Sequence, residues 1–153
     1  MLQGQQKTGK ARAFRKKIRD VTEFLANLGL SAKLSPLPMR VTYQDSCHLL
    51  HGQKVREAPR KLLRAIPGLE LVEMAMADYC CGSAGSYNVT ETQTSLDILA
   101  EKMKHARATN APVIVTANPG CLLQMRAGAK IHSTGQEVVH VIELLDRALV
   151  KNT

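Results

Sequence analysis

The chain has 153 residues, enough for one domain with its own hydrophobic core, and its 44% hydrophobic and 22% charged residues are typical of a globular protein. Its apolar runs are far shorter than the roughly 20 residues that a membrane-spanning helix needs, so no membrane span is predicted. The formal net charge is +8, but seven of the 21 lysines and arginines lie between Lys7 and Arg19.

The first predicted element is a basic amphipathic helix over residues 10–28, which a proline-containing linker joins to residue 39. Its apolar residues recur at steps of four and three and form one stripe: Phe14, Ile18, Val21, Leu25 and Leu28. We expect this stripe to pack on the sheet or on a partner subunit, with the basic residues in solvent. A basic arm can also contact nucleic acid or an acidic membrane surface. The lack of interleaved aromatics and of a recognition motif favours the solvated face and predicts no nucleic-acid partner.

Residues 39–150 form the second predicted unit, in which strand and helix patterns alternate. Strands are predicted at residues 40–44, 69–74, 113–116 and 137–140. Helices are predicted at residues 59–66, at 91–108, from Cys121 to about 131, and at 141–150. This order predicts an α/β fold with a parallel sheet of about four strands flanked by helices. In such sheets, ligands bind beyond the carboxyl ends of the strands.

All four cysteines follow predicted strands. Cys47 comes after the first, the adjacent Cys80 and Cys81 after the second, and Cys121 after the third. Adjacent residues have Cα atoms about 3.8 Å apart, below the usual range for a disulfide, so Cys80 and Cys81 are not expected to bridge. We expect Cys47, Cys121 and at least one of the doublet to cluster beside Gly82, partly accessible to solvent.

Four thiolates at one sheet edge suit an iron–sulfur cluster or zinc. Structural zinc usually takes cysteines in C-x-x-C pairs, whereas a single, double and single arrangement over three loops favours a cluster. Gly82 would let backbone N–H groups approach the sulfurs, and His48 is expected next to the cofactor rather than as a ligand. A reactive cysteine is the alternative, since Cys121 precedes a helix and Cys47 adjoins His48, but it does not explain the doublet.

The expected location is the cytoplasm. The first twenty residues are polar and basic and contain no apolar stretch of the kind that export signals carry. Cysteines without an evident disulfide pattern also favour a reducing compartment.

Three cysteine blocks resemble a known family: "DSCHLLHGQ" (residues 45–53), "CCGSAGSYN" (residues 80–88) and "TANPGCLLQMRAG" (residues 116–128). They are similar to the C-terminal region of the glycolate oxidase (glycolate dehydrogenase) iron–sulfur subunit, as is "LLRAIPGLELVE" (residues 62–73). The wider group is the CCG or cysteine-rich domain. This domain is shared with one of the heterodisulfide reductase subunits, the lactate-utilisation iron–sulfur protein and the anaerobic glycerol-3-phosphate dehydrogenase subunit.

The resemblance implies that Cys47, Cys80, Cys81 and Cys121 are ligands of an iron–sulfur cluster, expected to be of the 4Fe-4S type. It also implies an electron-transfer role between a flavoprotein (FAD) subunit and quinone, with peripheral association at the inner face of the membrane. The alternatives are a related lactate, glycerol-3-phosphate or heterodisulfide oxidoreductase, or a zinc-stabilised interaction module without redox chemistry.

Two features depart from the family pattern. Asn118 stands where the general motif, which ends in C-x-x-C, has its first cysteine. The chain also has one CCG block and no ferredoxin-type cysteine run. It is therefore expected to be a C-terminal fragment, inactive by itself, whose partners include the missing N-terminal part of the subunit.

Overall fold

The computed structural model describes residues 9–29 and 33–150. The elements along the chain are α1 (Gly9–Arg15), α2 (Val21–Leu28), β1 (Met39–Tyr43), a π-helical segment (His48–Gln53), α3 (Glu57–Arg64), β2 (Leu69–Glu73), α4 (Tyr87–Thr90), α5 (Thr92–Ala108), β3 (Val113–Thr116), α6 (Pro119–Ile131), β4 (Glu137–His140) and α7 (Val141–Ala148). The four strands pair in parallel in the order β2-β1-β3-β4, and the predicted α/β fold is confirmed.

The central strand β3 shows why the sheet is covered on both faces. All four of its residues are buried, as expected for a short β-branched run in a parallel sheet. Val113 and Val115 belong to the hydrophobic cluster that includes residues of α3 and α7, whereas Ile114 belongs to the cluster with α5 and α6. Because successive side chains of a strand point to opposite faces, helices lie on both sides of the sheet.

The strand order determines where the loops meet. β1 lies between β2 and β3, and all three run in the same direction. Their carboxyl ends therefore lie side by side at one edge, and the three segments that leave this edge are the ones that contain the cysteines.

The single helix predicted over residues 10–28 is wrong. The structure has two helices, α1 and α2, separated by residues 16–20. Asp20 is the N-cap of α2, and its Oδ1 accepts a hydrogen bond of 2.8 Å from the backbone N–H of Thr22. A side chain that binds backbone N–H groups in this way starts a new helix rather than continuing the old one.

The apolar stripe does not pack on the sheet as expected. Leu25 alone of its five residues packs against the core. The other four have exposed side chains: Phe14, Ile18, Val21 and Leu28. The face of α2 that is buried contains Thr22 and Ala26, and the carbonyl of Ala26 accepts a 2.9 Å hydrogen bond from the ammonium of Lys61 on α3. Packing of the stripe on a partner subunit remains a prediction.

The predicted linker makes specific contacts with the end of the chain. Leu34 forms an antiparallel bridge with Leu149, and the N–H of Ser35 donates a 2.7 Å hydrogen bond to the carbonyl of Ala148. The division of the chain at residue 38 stays a prediction.

The π-helical segment and α4 were not predicted from the sequence. Over the described ranges, no helix combines the length and apolar character that crossing a membrane requires.

Candidate metal centre

The cysteines lie at the carboxyl edge of three neighbouring strands. Cys47 immediately precedes the π-helical segment after β1, Cys80 and Cys81 lie in the loop after β2, and Cys121 is in the first turn of α6 after β3. Cys81 and Cys121 are buried in one hydrophobic cluster, whereas Cys47 and Cys80 are half-buried. All four are free thiols. The site is therefore partly accessible to solvent, through Cys47 and Cys80.

The four thiols are linked electrostatically. Cys80 and Cys81 both act on the pKa of Cys47, whereas Cys81 and Cys121 act most strongly on each other. Burial raises the pKa of Cys47, and the charges of Cys80 and Cys81 raise it further. Among the other thiols, Cys80 has the largest effect on Cys47, whereas Cys121 has the largest effect on Cys81.

The buried pair shares its protons unequally. The hydrogen bond to Cys121 and then burial raise the pKa of Cys81, whereas the same hydrogen bond lowers the pKa of Cys121 despite its burial. A thiol that donates keeps its proton more tightly, and a sulfur that accepts is stabilised as the thiolate. Cys121 is therefore the thiol of this pair that loses its proton more readily.

The four cysteines influence one another electrostatically at this edge, but the described residues do not form a preformed metal site. Over residues 9–29 and 33–150, no group of three or more His, Cys, Asp and Glu side chains is arranged so that it could hold a metal ion as it stands. The donor chemistry nevertheless fits a thiolate-ligated cofactor, because four thiols without disulfides lie at one edge and interact with one another. The assignment of the four cysteines as ligands remains a prediction.

The conformation and packing of the doublet loop require glycine at position 82. Its φ of +91° is rarely adopted by other residues, and a Cβ at this position would lie 2.4 Å from the carbonyl oxygen of Ser95. The N–H of Gly82 donates a 3.3 Å hydrogen bond to the sulfur of Cys80. The predicted approach of a backbone N–H to a sulfur is therefore present, and glycine is needed for it.

Helices α5 and α6 hold the doublet loop through side chains that sequence analysis missed. Ser95 Oγ donates a 2.9 Å hydrogen bond to the carbonyl of Gly82, and Gln124 Nε2 donates one of 3.0 Å to Ser95 Oγ. Asn88 Nδ2 in turn donates to Gln124 Oε1 at 3.4 Å. Gln124 is 29 residues from Ser95 and lies on another helix, so no local pattern could have connected them.

Sequence analysis also missed a buried group of polar residues that interacts with Cys121. The hydroxyl of the buried Ser46 forms a hydrogen bond that helps to lower the pKa of Cys121. Ser46 Oγ lies 3.3 Å from Thr116 Oγ1, which donates a 2.9 Å hydrogen bond to Gln44 Oε1. This buried polar chain connects the end of β3 to the loop that carries Cys47.

Asn118 has a structural role at the position where the general family motif has a cysteine. It is the N-cap of α6, and its Oδ1 accepts hydrogen bonds from the N–H groups of Gly120 at 2.9 Å and Cys121 at 3.2 Å. The amide side chain therefore fixes the first helical turn, which contains Cys121.

His48 lies beside Cys47 but its ring is exposed and faces along the π-helical segment. Its Nε2 is 3.3 Å from Gln53 Nε2. The backbone of His48 contributes a hydrogen bond that acts to lower the pKa of Cys47. His48 is thus adjacent to the site through its backbone, and a contact of its ring with a cofactor remains a prediction.

An ion-pair network lies behind the cysteine loops. Arg60 on α3 binds the buried Asp45 through two hydrogen bonds of 2.8 Å, and its Nε lies 3.0 and 3.1 Å from the carboxylate oxygens of Glu73. The guanidinium also stacks over the Tyr43 ring, 5.0 Å from its centroid. Asp45 is two residues from Cys47, so this network fixes the start of the first cysteine loop.

Two surface cavities differ in their relation to the site. One of about 530 Å³ lies far from the cysteines, against Arg126, Lys130 and the segment that enters β4. A smaller one of about 320 Å³ adjoins Cys80 and is lined by Tyr79, Cys80, Ile98, Glu101, Lys102 and His105. The smaller cavity is the one that reaches a cysteine.

Comparison with known proteins gives one family match. The model of the CCG family, described as a cysteine-rich domain, matches residues 41–126, a range that contains all four cysteines.

Three curated relatives are similar to most of the chain. The "Probable glycolate oxidase iron-sulfur subunit" of Bacillus subtilis is 46% identical over 89% of the chain and 32% of its own length. One of the fumarate reductase (CoM/CoB) subunits of Methanothermobacter marburgensis is 39% identical over 86% of the chain and 27% of its own length. The "Lactate utilization protein A" of Oceanobacillus iheyensis is 34% identical over 83% of the chain and 52% of its own length. The chain thus spans from about a quarter to about half of these relatives.

Proposed function

Because the chain belongs to the CCG cysteine-rich domain family, we propose that it binds an iron–sulfur cluster and transfers electrons. The observation that carries this proposal is the position of Cys47, Cys80, Cys81 and Cys121 at the carboxyl ends of three adjacent parallel strands. Sulfur ligands select iron–sulfur clusters or zinc, and relatives of the chain carry iron–sulfur names.

The residues of the chain have distinct tasks in this proposal. The four cysteines would hold the cluster, expected to be of the 4Fe-4S type, which supplies one-electron redox chemistry when bound. The N–H of Gly82 donates to Cys80, and hydrogen bonds to sulfur tune the potential of such sites. The burial of Cys81 and Cys121 excludes water from one side, whereas the half-buried Cys47 and Cys80 lie toward the side from which electrons would enter or leave.

The proposed setting is a complex that oxidises a 2-hydroxy acid, with glycolate as the preferred substrate. The similarity to a glycolate oxidase iron–sulfur subunit supports glycolate, and the similarity to lactate utilization protein A supports the same class of substrate. In this setting a flavoprotein (FAD) subunit would oxidise the acid and this domain would pass electrons toward quinone. We place the complex in the cytoplasm, at the inner face of the membrane.

Metal analysis of anaerobically prepared protein tests the proposal. We expect a brown protein with about four iron and four acid-labile sulfide per chain and an electron paramagnetic resonance signal after reduction. Serine at any of the four cysteine positions should reduce iron content sharply, whereas Ser86→Ala, in the same loop as the doublet, should not. A colourless protein with one tightly held zinc would overturn the electron-transfer proposal and favour an interaction module.

The substrate class requires a second experiment. Mixed with the glycolate-oxidising flavoprotein, the cluster-loaded chain should lose its visible absorption when glycolate is added. By itself, the chain should not oxidise glycolate. Reduction through a lactate-oxidising flavoprotein and not through the glycolate-oxidising one would move the chain to the lactate class, and reduction through neither would contradict the proposed setting.

A further inference from the structure

Lys102 is a buried lysine that the proposed function does not yet use. It lies on α5 and only 2% of its surface is exposed, whereas the side chain of Lys104 on the same helix is 72% exposed. Lysine is almost never fully buried unless its ammonium is paired, because removing the charge from water is costly. The contacts of Lys102 must therefore compensate for this burial.

The ammonium of Lys102 binds the turn that leads into the cysteine doublet. Its Nζ donates hydrogen bonds to the carbonyl oxygens of Met76 at 2.6 Å and Ala77 at 3.2 Å. The Met76 carbonyl also accepts from the N–H of Tyr79 at 3.1 Å, and the Ala77 carbonyl from the N–H of Asp45 at 3.0 Å. One cation thus connects α5 to the point where the doublet loop meets the Cys47 loop.

The backbone of this turn needs such support. Met76 has a φ of +55°, in the left-handed region that side chains other than glycine rarely adopt. Residues held in this region cost about 1–3 kcal/mol and persist where the surroundings fix them. Two carbonyls that converge on one buried ammonium provide that constraint.

The ammonium also has an electrostatic relation to the doublet. Burial lowers the pKa of Lys102, and the charges that act in the opposite direction are those of Cys81, Asp78, Asp45 and Cys80. Cys80 and Lys102 also line the same cavity of about 320 Å³, so a charge at Lys102 can stabilise negative charge at the doublet. Away from solvent such an interaction is only weakly screened.

We propose that Lys102 is a positioning residue of the cysteine doublet. Its buried ammonium fixes the Met76–Ala77 turn and places a positive charge next to the cavity that Cys80 lines. The second part rests on the proposed iron–sulfur function. A positive charge there favours the reduced cluster, which carries one more electron, and therefore raises the reduction potential.

The positioning part is tested on the chain prepared without iron. Lys102→Met keeps the length of the side chain and removes the charge, Lys102→Arg keeps the charge, and Lys104→Met removes an exposed charge from the same helix. Hydrogen–deuterium exchange over residues 76–81 should be about tenfold faster in Lys102→Met than in the wild type, and close to wild type in the other two variants. Unchanged exchange in Lys102→Met would overturn the positioning role.

The electrostatic part is tested on the iron-loaded chain by a redox titration followed by electron paramagnetic resonance. Lys102→Met should bind as much iron as the wild type but have a more negative reduction potential. We expect a shift of about 59 mV, which corresponds to a tenfold change in the one-electron equilibrium constant. Lys102→Arg and Lys104→Met should stay near the wild-type value, and an unchanged potential in Lys102→Met would overturn this part.

Failure of the inference and failure of the proposed function give different results. If the wild type takes up no iron, the function proposal fails, and the exchange measurement still decides the positioning role. Should Lys102→Met not fold, Lys102→Gln gives the same two comparisons, because its side chain can donate a hydrogen bond but has no charge.

Discussion

Gly82 meets two separate demands at one residue. Its backbone has a φ of +91°, and the space where a Cβ would lie is filled by the carbonyl oxygen of Ser95 at 2.4 Å. We expect Gly82→Ala to lower the free energy of unfolding by about 2–6 kcal/mol, because backbone strain and an overpacked contact each cost about 1–3 kcal/mol. Urea unfolding of the chain without cofactor measures this loss.

Gly85 provides the matched control, three residues further along the same loop. Its φ is +69°, but nothing lies within 4 Å of the Cβ that alanine would add. Gly85→Ala should therefore lose only the strain energy, roughly 1–2 kcal/mol. Equal losses for the two variants would show that the contact with Ser95 does not restrict residue 82.

The sequence identified the site residues whose chemistry is rare and local. A cysteine doublet followed by glycine is unusual enough to mark a loop, and the structure places that loop beside the other two cysteines. The sequence could not identify Ser95, Gln124 or Ser46, because serine and glutamine are common and their contacts join distant elements. Such supporting residues become visible only when the fold brings the elements together.

At the scale of elements, the N-terminal helices show how an apolar stripe can mislead. The stripe continues at helical spacing through residues 14–28, yet the helix is interrupted before Asp20. The sequence contained a contrary signal, because Asp20 and Glu23 have the spacing of a capping box. Periodicity indicates which residues share a face, whereas cap residues indicate where a helix starts, and here the cap decided the structure.

Asn118 controls the start of α6 and therefore the placement of Cys121. Its side chain accepts two backbone hydrogen bonds, from Gly120 and Cys121. We expect Asn118→Ala to lower the free energy of unfolding by about 1 kcal/mol, the typical cost of losing a helix cap. Thermal or urea unfolding of the two proteins measures the difference.

Asn118→Asp is the control for the cap, because aspartate keeps an acceptor oxygen in the same place and suits the positive end of a helix. Its stability should be close to that of the wild type. If alanine and aspartate were equally destabilising, the amide group itself and not the cap would be required at this position.

At the scale of the molecule, the alternation of strand and helix patterns was enough to predict a parallel sheet. The β-branched run at residues 113–116 supported this, and the positions of the cysteines after the strands predicted that they lie at one edge. The order β2-β1-β3-β4 is a tertiary property that local patterns do not encode. That order matters for the proposed function, because it makes the three strands that precede the cysteines contiguous. The strong mutual influence of Cys81 and Cys121 could not be predicted either, since it depends on tertiary structure that brings together two cysteines 40 residues apart in sequence.

Arg60 joins the helical layer to the sheet edge, which makes it the side chain whose loss should affect the whole domain. It links α3 to the buried Asp45 after β1 and to Glu73 at the end of β2. Arg60→Met would leave the Asp45 carboxylate buried without its main partner, and breaking a buried pair in this way costs about 3–5 kcal/mol. Urea unfolding followed by circular dichroism should show this loss, whether or not iron is bound.

Two further variants separate this network from an ordinary surface ion pair. Arg40 also binds a carboxylate through two hydrogen bonds, to Glu70, but both side chains are about half exposed, so Arg40→Met should change stability little. The double variant Asp45→Asn with Arg60→Met should lose less stability than the sum of its single changes, because the unpaired buried charge disappears with its partner. If Arg60→Met were as mild as Arg40→Met, the edge that carries the cysteines would have to be held by the backbone and the hydrophobic clusters alone.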